Sequence, residues 1–148
     1  MANIPTDHPI IQQLFARMKF PAPVAELIGF DLVSIEPGMA RFELQADERH
    51  ANPMGTLHGG ILCDVADAAM GVAYLSQLQP GETFTTLELK INFLKPVWKS
   101  KLTAVGRVVK SGRTVGLVEC DIFDEKQSLV ARASCTQMTL RDEKASGR

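Results

Sequence analysis

NPMGTLHGGILCDVAD, running from Asn52 to Asp67, decides how the chain reads. It sets His58 and two adjacent glycines, Gly59 and Gly60, at the mouth of an apolar run and places a carboxylate, Asp67, further along it. From His58 to about Ser76 the run carries Ile61, Leu62, Val65, Ala66, Ala69, Met70, Val72 and Ala73, with no Lys or Arg. That pattern predicts a helix of roughly 28 Å at about 1.5 Å per residue, long enough to be the central helix of a small domain. Two Asp, a His and several Gly argue against a membrane span. At about 100° per residue, Asp67 falls among Cys63, Met70, Gly71 and Tyr74, a flank with little polar company. If that flank is covered, an ionised Asp there is costly unless something binds or uses it. The plainer alternative is an acid on the solvent side of an amphipathic helix.

Outward from this segment, 148 residues with 45% hydrophobic and 22% charged content fit one globular domain with a sizeable core. Lys plus Arg total 16 against 17 for Asp plus Glu, so net charge gives no argument for nucleic acid or an anionic membrane as partner. The distribution says more. Between Leu89 and Val118 stand Lys90, Lys95, Lys99, Lys101, Arg107, Lys110 and Arg113 with no acid among them. Two readings stand side by side: a face for a polyanionic ligand such as a nucleotide phosphate, or cationic decoration against edge-to-edge strand pairing. Cys63, Cys120 and Cys135 form no CxxC pair and sit in apolar contexts, as small core residues of a reduced protein do. A zinc site on His58 and Cys63 lacks two further ligands nearby, so no metal is expected. The first residues show no basic and apolar export signal, which predicts a cytoplasmic location.

Pro9 to Phe20 has helical spacing at Ile10, Ile11, Leu14, Phe15 and Met18, and a short helical turn from Pro23 to Ile28 ends at Gly29. The period then changes to strand alternation over Phe30 to Ile35 and Met39 to Ala46, around a Glu36-Pro37-Gly38 turn. After Pro80-Gly81 four more strand-like runs follow: Thr83 to Leu94, Leu102 to Lys110, Thr114 to Phe123 and Ser128 to Leu140. Residues 1–28 are expected as an N-terminal helical segment, 29–140 as the domain and 141–148 as a polar, frayed tail. The fold class is α+β, a mostly antiparallel sheet with the long helix on one face, because such short connections cannot make parallel crossovers.

Asn52-x-x-Gly55-Thr56-x-His58-Gly59-Gly60 followed by Asp67 resembles the signature of hotdog-fold acyl-CoA thioesterases, specifically the phenylacetate-pathway group and its mammalian thioesterase-superfamily relatives. The likeness runs from about Gly29 to Leu140, since Lys95-Pro96 and Ser111-Gly112-Arg113-Thr114 also fall in the expected places. The resemblance implies a single hotdog domain with the sheet wrapped around the helix, homodimers with shared active sites, and dimers joining into tetramers. It assigns Asp67 as general base or nucleophile and Gly59 as the glycine whose N–H polarises the thioester carbonyl. Asn52 and His58 match residues that hold the site loop or the water, and Thr86 a hydroxyl that helps place the water. Asp64 departs from the pattern, where relatives more often carry a small or hydroxyl side chain.

Elementary chemistry agrees with these roles. A helix N-terminus offers free N–H groups and partial positive charge to a carbonyl oxygen acquiring negative charge. Gly59 and Gly60 let a substrate approach the backbone. A thiol has a pKa near 8.5, so a thiolate leaves without much help from a general acid. One carboxylate and an oxyanion hole then suffice, with no cofactor beyond the CoA of the substrate. Lys95, Lys110 and Arg113 are the candidates for the CoA phosphates, and Phe15, Phe20, Met70, Tyr74 and Phe84 for the acyl pocket or the core. Asp64, one turn before Asp67, either raises the pKa of Asp67 by like-charge repulsion or faces solvent. Two alternatives to hydrolysis remain: a hotdog hydratase or dehydratase using His58 with Asp67, and a non-catalytic acyl-CoA binding module. In the plain readings the glycines serve packing, His58 bonds a nearby carbonyl and Asn52 makes an Asx-turn.

Overall fold

Alternation builds the sheet. In β2 (Met39–Ala46), Ala40, Phe42, Leu44 and Ala46 are buried while Arg41 and Gln45 face water. The computed structural model describes residues 21–146 together with Pro9, Ile11 and Gln12. Around β2 it arranges β1 (Phe30–Glu36), β3 (Thr83–Phe93), β4 (Ser100–Ser111), β5 (Val115–Phe123) and β6 (Leu129–Leu140), with α1 (Pro23–Ile28) ahead of β1 and α2 (Gly59–Leu75) between β2 and β3. All six strands form one antiparallel sheet in the order β1-β2-β4-β5-β6-β3. The expected α+β hotdog architecture is what the chain adopts. Of the first expected helix, only Pro9, Ile11 and Gln12 are described, with Ile11 buried; the remainder lies outside the described residues.

The helix crosses the sheet because its inner face is both apolar and small. Leu62, Val65, Ala66, Ala69, Met70, Ala73 and Tyr74 are buried, and α2 touches every strand. Each large apolar side chain so covered contributes about 1.5–3 kcal/mol. The approach is closest over β4, where a Cβ on Gly106 would run into the Ala69 carbonyl. At the far end, the β1–β2 turn places Gly38 at a φ of 77°, a conformation glycine adopts freely. The Gly38 N–H donates to Ser76 Oγ at 2.7 Å, pinning that hairpin to the end of α2. This crossing carries the chain from β2 to the opposite edge of the sheet, so β3 pairs with β6 and, among the described residues, has no strand on its other side.

The tail departs from expectation. Arg141 donates to Glu82 at 2.7 Å and a 3-10 turn covers Asp142–Ala145, so the frayed stretch expected from Arg141 is tied down at its start. No helix among the described residues is long and apolar enough to cross a membrane.

Candidate active site

The loop before α2 is built by its own side chains. Asn52 Oδ1 accepts the N–H groups of Met54 at 2.9 Å and Thr56 at 3.3 Å, and Asn52 Nδ2 donates to Thr56 Oγ1 at 2.8 Å. Asn52 therefore makes the Asx-type turn that closes the loop. His58 caps the helix: its Nδ1 accepts the Gly60 N–H at 2.9 Å, which puts the proton of the neutral ring on Nε2. The Ile61 N–H goes to the His58 carbonyl at 3.1 Å. The Gly59 N–H has no acceptor among the described residues. Gly59 lines a cavity of about 360 Å³ together with Asn52, Leu57, Leu62, Phe93 and Val97. A Cβ on Gly59 would stand 2.7 Å from Phe93 Cζ, so glycine is what leaves room for that ring.

His50, given no role from sequence, latches this loop. It is buried, its Nε2 donates to the Ile28 carbonyl at 2.8 Å, and its own carbonyl accepts the His58 N–H at 2.8 Å. The signal for it was slight, since it stands in a polar segment.

Asp67 sits elsewhere. It lies eight residues beyond Gly59, about 12 Å along the helix axis, and is exposed in the single chain. Of the two readings left by the sequence, a covered flank or one facing solvent, the single chain shows the open one, because β3 closes one side of it and nothing among the described residues closes the other. Thr86 Oγ1 donates to Asp67 Oδ1 at 3.0 Å. That contact depends on a bulge. The β3–β6 register slips between Thr86 and Glu88, so Thr86 faces the helix in one phase while Leu89, Ile91 and Phe93 face it in the other. Without the bulge, Thr86 and Phe93, an odd number of residues apart, would point to opposite faces.

Asp64, also exposed, has its carboxyl pushed up, first by partial desolvation and then by the charge of Asp67. The three thiols stay protonated groups: burial pushes Cys120 up to about 12 and Cys135 up to about 11, and partial burial raises Cys63. Of the acyl-pocket candidates, Met70 and Tyr74 are fully buried in the core and Phe84 packs on it, while Phe15 and Phe20 lie outside the described residues.

The basic residues divide. Lys95 Nζ is paired with Asp124, whose carboxyl it holds low, and Asp124 Oδ1 in turn accepts the Lys126 and Ser128 N–H groups at 2.9 Å each. Lys95 thereby clamps the β3–β4 connection, beside the cavity, to the β5–β6 turn. Lys110 and Arg113 make no ion pair among the described residues. They stand at the β4–β5 hairpin, at the end of the sheet near Gly38 and the C-terminus of α2, away from Gly59. One chain thus brings together Asn52, His58, Gly59, Gly60 and Lys95 at one end, and Asp67, Asp64 and Thr86 on the flank. It does not join the two groups.

Comparison with known proteins agrees with this architecture. Residues 54–131 match the model of the thioesterase superfamily. The chain is 31% identical over 111 residues to the 1,4-dihydroxy-2-naphthoyl-CoA hydrolase of Listeria monocytogenes, covering 75% of this chain and 90% of that one. To the acyl-coenzyme A thioesterase PaaI of Escherichia coli it is 30% identical over 108 residues, covering 72% and 75%. The solved structure of the E. coli PaaI protein from the phenylacetic acid degradation operon superposes with a TM-score of 0.80 at 25% identity, over 90% of this chain and 95% of that one. With its hotdog fold and this match, the chain belongs to the thioesterase superfamily and is, by family, a thioester hydrolase.

Proposed function

We propose that the protein hydrolyses an acyl-CoA thioester to the free acid and CoA at a site shared between two copies of the chain. Asp67 of one copy works with the Gly59 N–H of the other. The observation that carries this reading is the 12 Å or so along α2 between Asp67 and Gly59. One thioester carbonyl, about 1.2 Å long, cannot meet both groups of one chain. The open edge of β3 offers the means. Leu87, Phe93 and the adjoining Leu94 are more than half exposed there, and a second β3 pairing along that edge would cover them and carry a partner helix to the Asp67 flank. Dimers of this kind joining into a tetramer complete the assembly.

The chemistry follows from the groups present. Asp67, steadied at Oδ1 by Thr86, takes a proton from water as the water oxygen attacks the carbonyl carbon. The carbonyl oxygen becomes an oxyanion held by the Gly59 N–H, and its collapse expels the CoA thiolate. If Asp67 attacks instead, the CoA thiolate leaves as a mixed anhydride forms, and water attacking the Asp67 carbonyl carbon releases the acid and regenerates Asp67. A single turnover in H2(18)O separates the two, because only the nucleophilic route leaves the label in Asp67. Asn52 and His58 hold the loop that presents Gly59, and Gly60 keeps the backbone accessible. Lys110 and Arg113 meet the CoA phosphates; Lys95 does so only as far as Asp124 leaves its charge available. The cavity wall of Leu57, Leu62, Phe93, Pro96 and Val97 suits an apolar acyl group, aryl or fatty. Three reduced cysteines accord with a cytoplasmic setting.

The test is thiol release over a panel of aryl-, short-chain and long-chain acyl-CoAs, with Asp67→Asn alongside. The expected result is turnover on part of the panel and a loss of about 10²–10⁴-fold in the folded variant. Near-normal hydrolysis by a folded Asp67→Asn protein would overturn the assignment. Hydration of a crotonyl thioester without thiol release would favour the hydratase, and tight binding with no release on any thioester the binding module.

A further inference from the structure

Behind Thr86 lies a buried polar chain that the reaction as described does not use. Gln137 stands directly across from Thr86 in the β3–β6 register and is fully buried. It occupies an inward row of β6 otherwise made of Ala131, Ala133, Cys135 and Thr139. Its amide is placed with Oε1 at 3.1 Å from Thr86 Oγ1 and Nε2 at 3.2 Å from Cys135 Sγ. In that orientation the single Thr86 hydroxyl hydrogen faces two acceptors, Gln137 Oε1 and Asp67 Oδ1, and can serve one. The two ends of a glutamine amide have the same shape, so the hydrogen-bond network decides their orientation.

We propose that Gln137 is a positioning residue whose amide points Nε2 at Thr86 and Oε1 at the Cys135 thiol, committing the Thr86 hydroxyl hydrogen to Asp67. Each of the three bonds then has one donor and one acceptor: Cys135 S–H to Gln137 Oε1, one Gln137 Nε2–H to Thr86 Oγ1, and Thr86 O–H to Asp67 Oδ1. The Cys135 thiol, pushed up to about 11 chiefly by burial, keeps its proton at neutral pH and can start the chain. The outcome is a carboxylate with Oδ1 always occupied and Oδ2 turned to the water. This proposal rests on the reading of Asp67 as the acting carboxylate.

Gln137→Met and Gln137→Leu keep the side-chain bulk and remove the amide. Each is measured for kcat, KM and Tm, alone and combined with Thr86→Val, with Asp67→Asn in the same series. The proposal expects kcat to fall about five- to tenfold, the worth of one buried hydrogen bond, with KM nearly unchanged. In the Thr86→Val background the same substitution has little further effect, because its route to Asp67 is already cut. Wild-type kcat in the folded Gln137 variants, or losses that multiply in full with Thr86→Val, would overturn it while leaving Asp67 in place. An active Asp67→Asn protein would instead remove the reading beneath. Should neither Gln137 variant fold, the side-chain 15N–H signal of Gln137 in the Thr86→Val protein decides. Faster solvent exchange of one Nε2 hydrogen, as loss of its acceptor gives, supports the orientation, and unchanged exchange of both hydrogens contradicts it.

Discussion

The mouth of α2 and its Asp67 flank are finished to different degrees. At the mouth, Asn52, Thr56, His58 and His50 bond to one another or to nearby backbone, and the loop is complete within one chain. On the flank, Asp67 and Thr86 are supported from behind by β6 yet stand open in front, at the sheet edge with no neighbouring strand among the described residues. The rigid part presents an N–H, and the open part presents a charge. A self-contained loop can deliver a donor without help, whereas an ionised carboxylate gains reactivity only where another surface excludes water from it.

Breaking the finished end should produce the largest effect after Asp67→Asn. Gly59→Ala keeps the N–H but sets a methyl group against Phe93 and in the path of the carbonyl. Hydrolysis is expected to fall about 10²-fold, the scale of losing one oxyanion donor, with Tm changed little. An unimpaired Gly59→Ala enzyme would mean that the reacting carbonyl lies elsewhere.

The two classes of basic residue sharpen the comparison. Arg113→Ala and Lys110→Ala should raise KM for CoA thioesters by up to about fivefold each, more at low salt, with Tm unchanged. Lys95→Met should do the reverse, lowering Tm with a smaller effect on KM, since it strips the cation from Asp124. A KM effect confined to Lys95 would place the CoA phosphates at the mouth of α2.

The smallest effect concerns Asp64. Its carboxyl is raised in the folded chain, so the ionised form is disfavoured there relative to the unfolded chain. The destabilisation is fully present above the raised folded value and disappears as pH falls through it toward the ordinary 3.8. Asp64→Asn should therefore raise Tm slightly at neutral pH, with the gain vanishing near pH 4. Because the group is exposed, screening keeps the gain small. A gain that persists in acid would have another cause.

Much of the fold was legible because its signals are local. The apolar run without Lys or Arg reads as α2, and β2 alternates throughout its length. The placement of β3 at the far edge was not legible, since it follows from where the helix crosses and not from any residue in β3. The exposure of Asp67 follows from that placement. The β3 bulge left a trace, a phase break between Phe84 and the alternating Leu87, Leu89, Ile91 and Phe93. Gln137 left one too, as a long polar residue in an inward row of small ones. The Lys95–Asp124 clamp left none: its partners meet only once two turns have folded against each other.

The claim that each site is divided between two chains has a direct test, the mixing of two inactive proteins. Asp67→Asn and Gly59→Ala chains, refolded together, form dimers at random, and each mixed dimer holds one site with both an intact Asp67 and an intact Gly59. The account predicts recovery of about a quarter of wild-type hydrolysis from the mixture, while either protein refolded alone stays inactive. A mixture no more active than its components, with mixed dimers present, would contradict it.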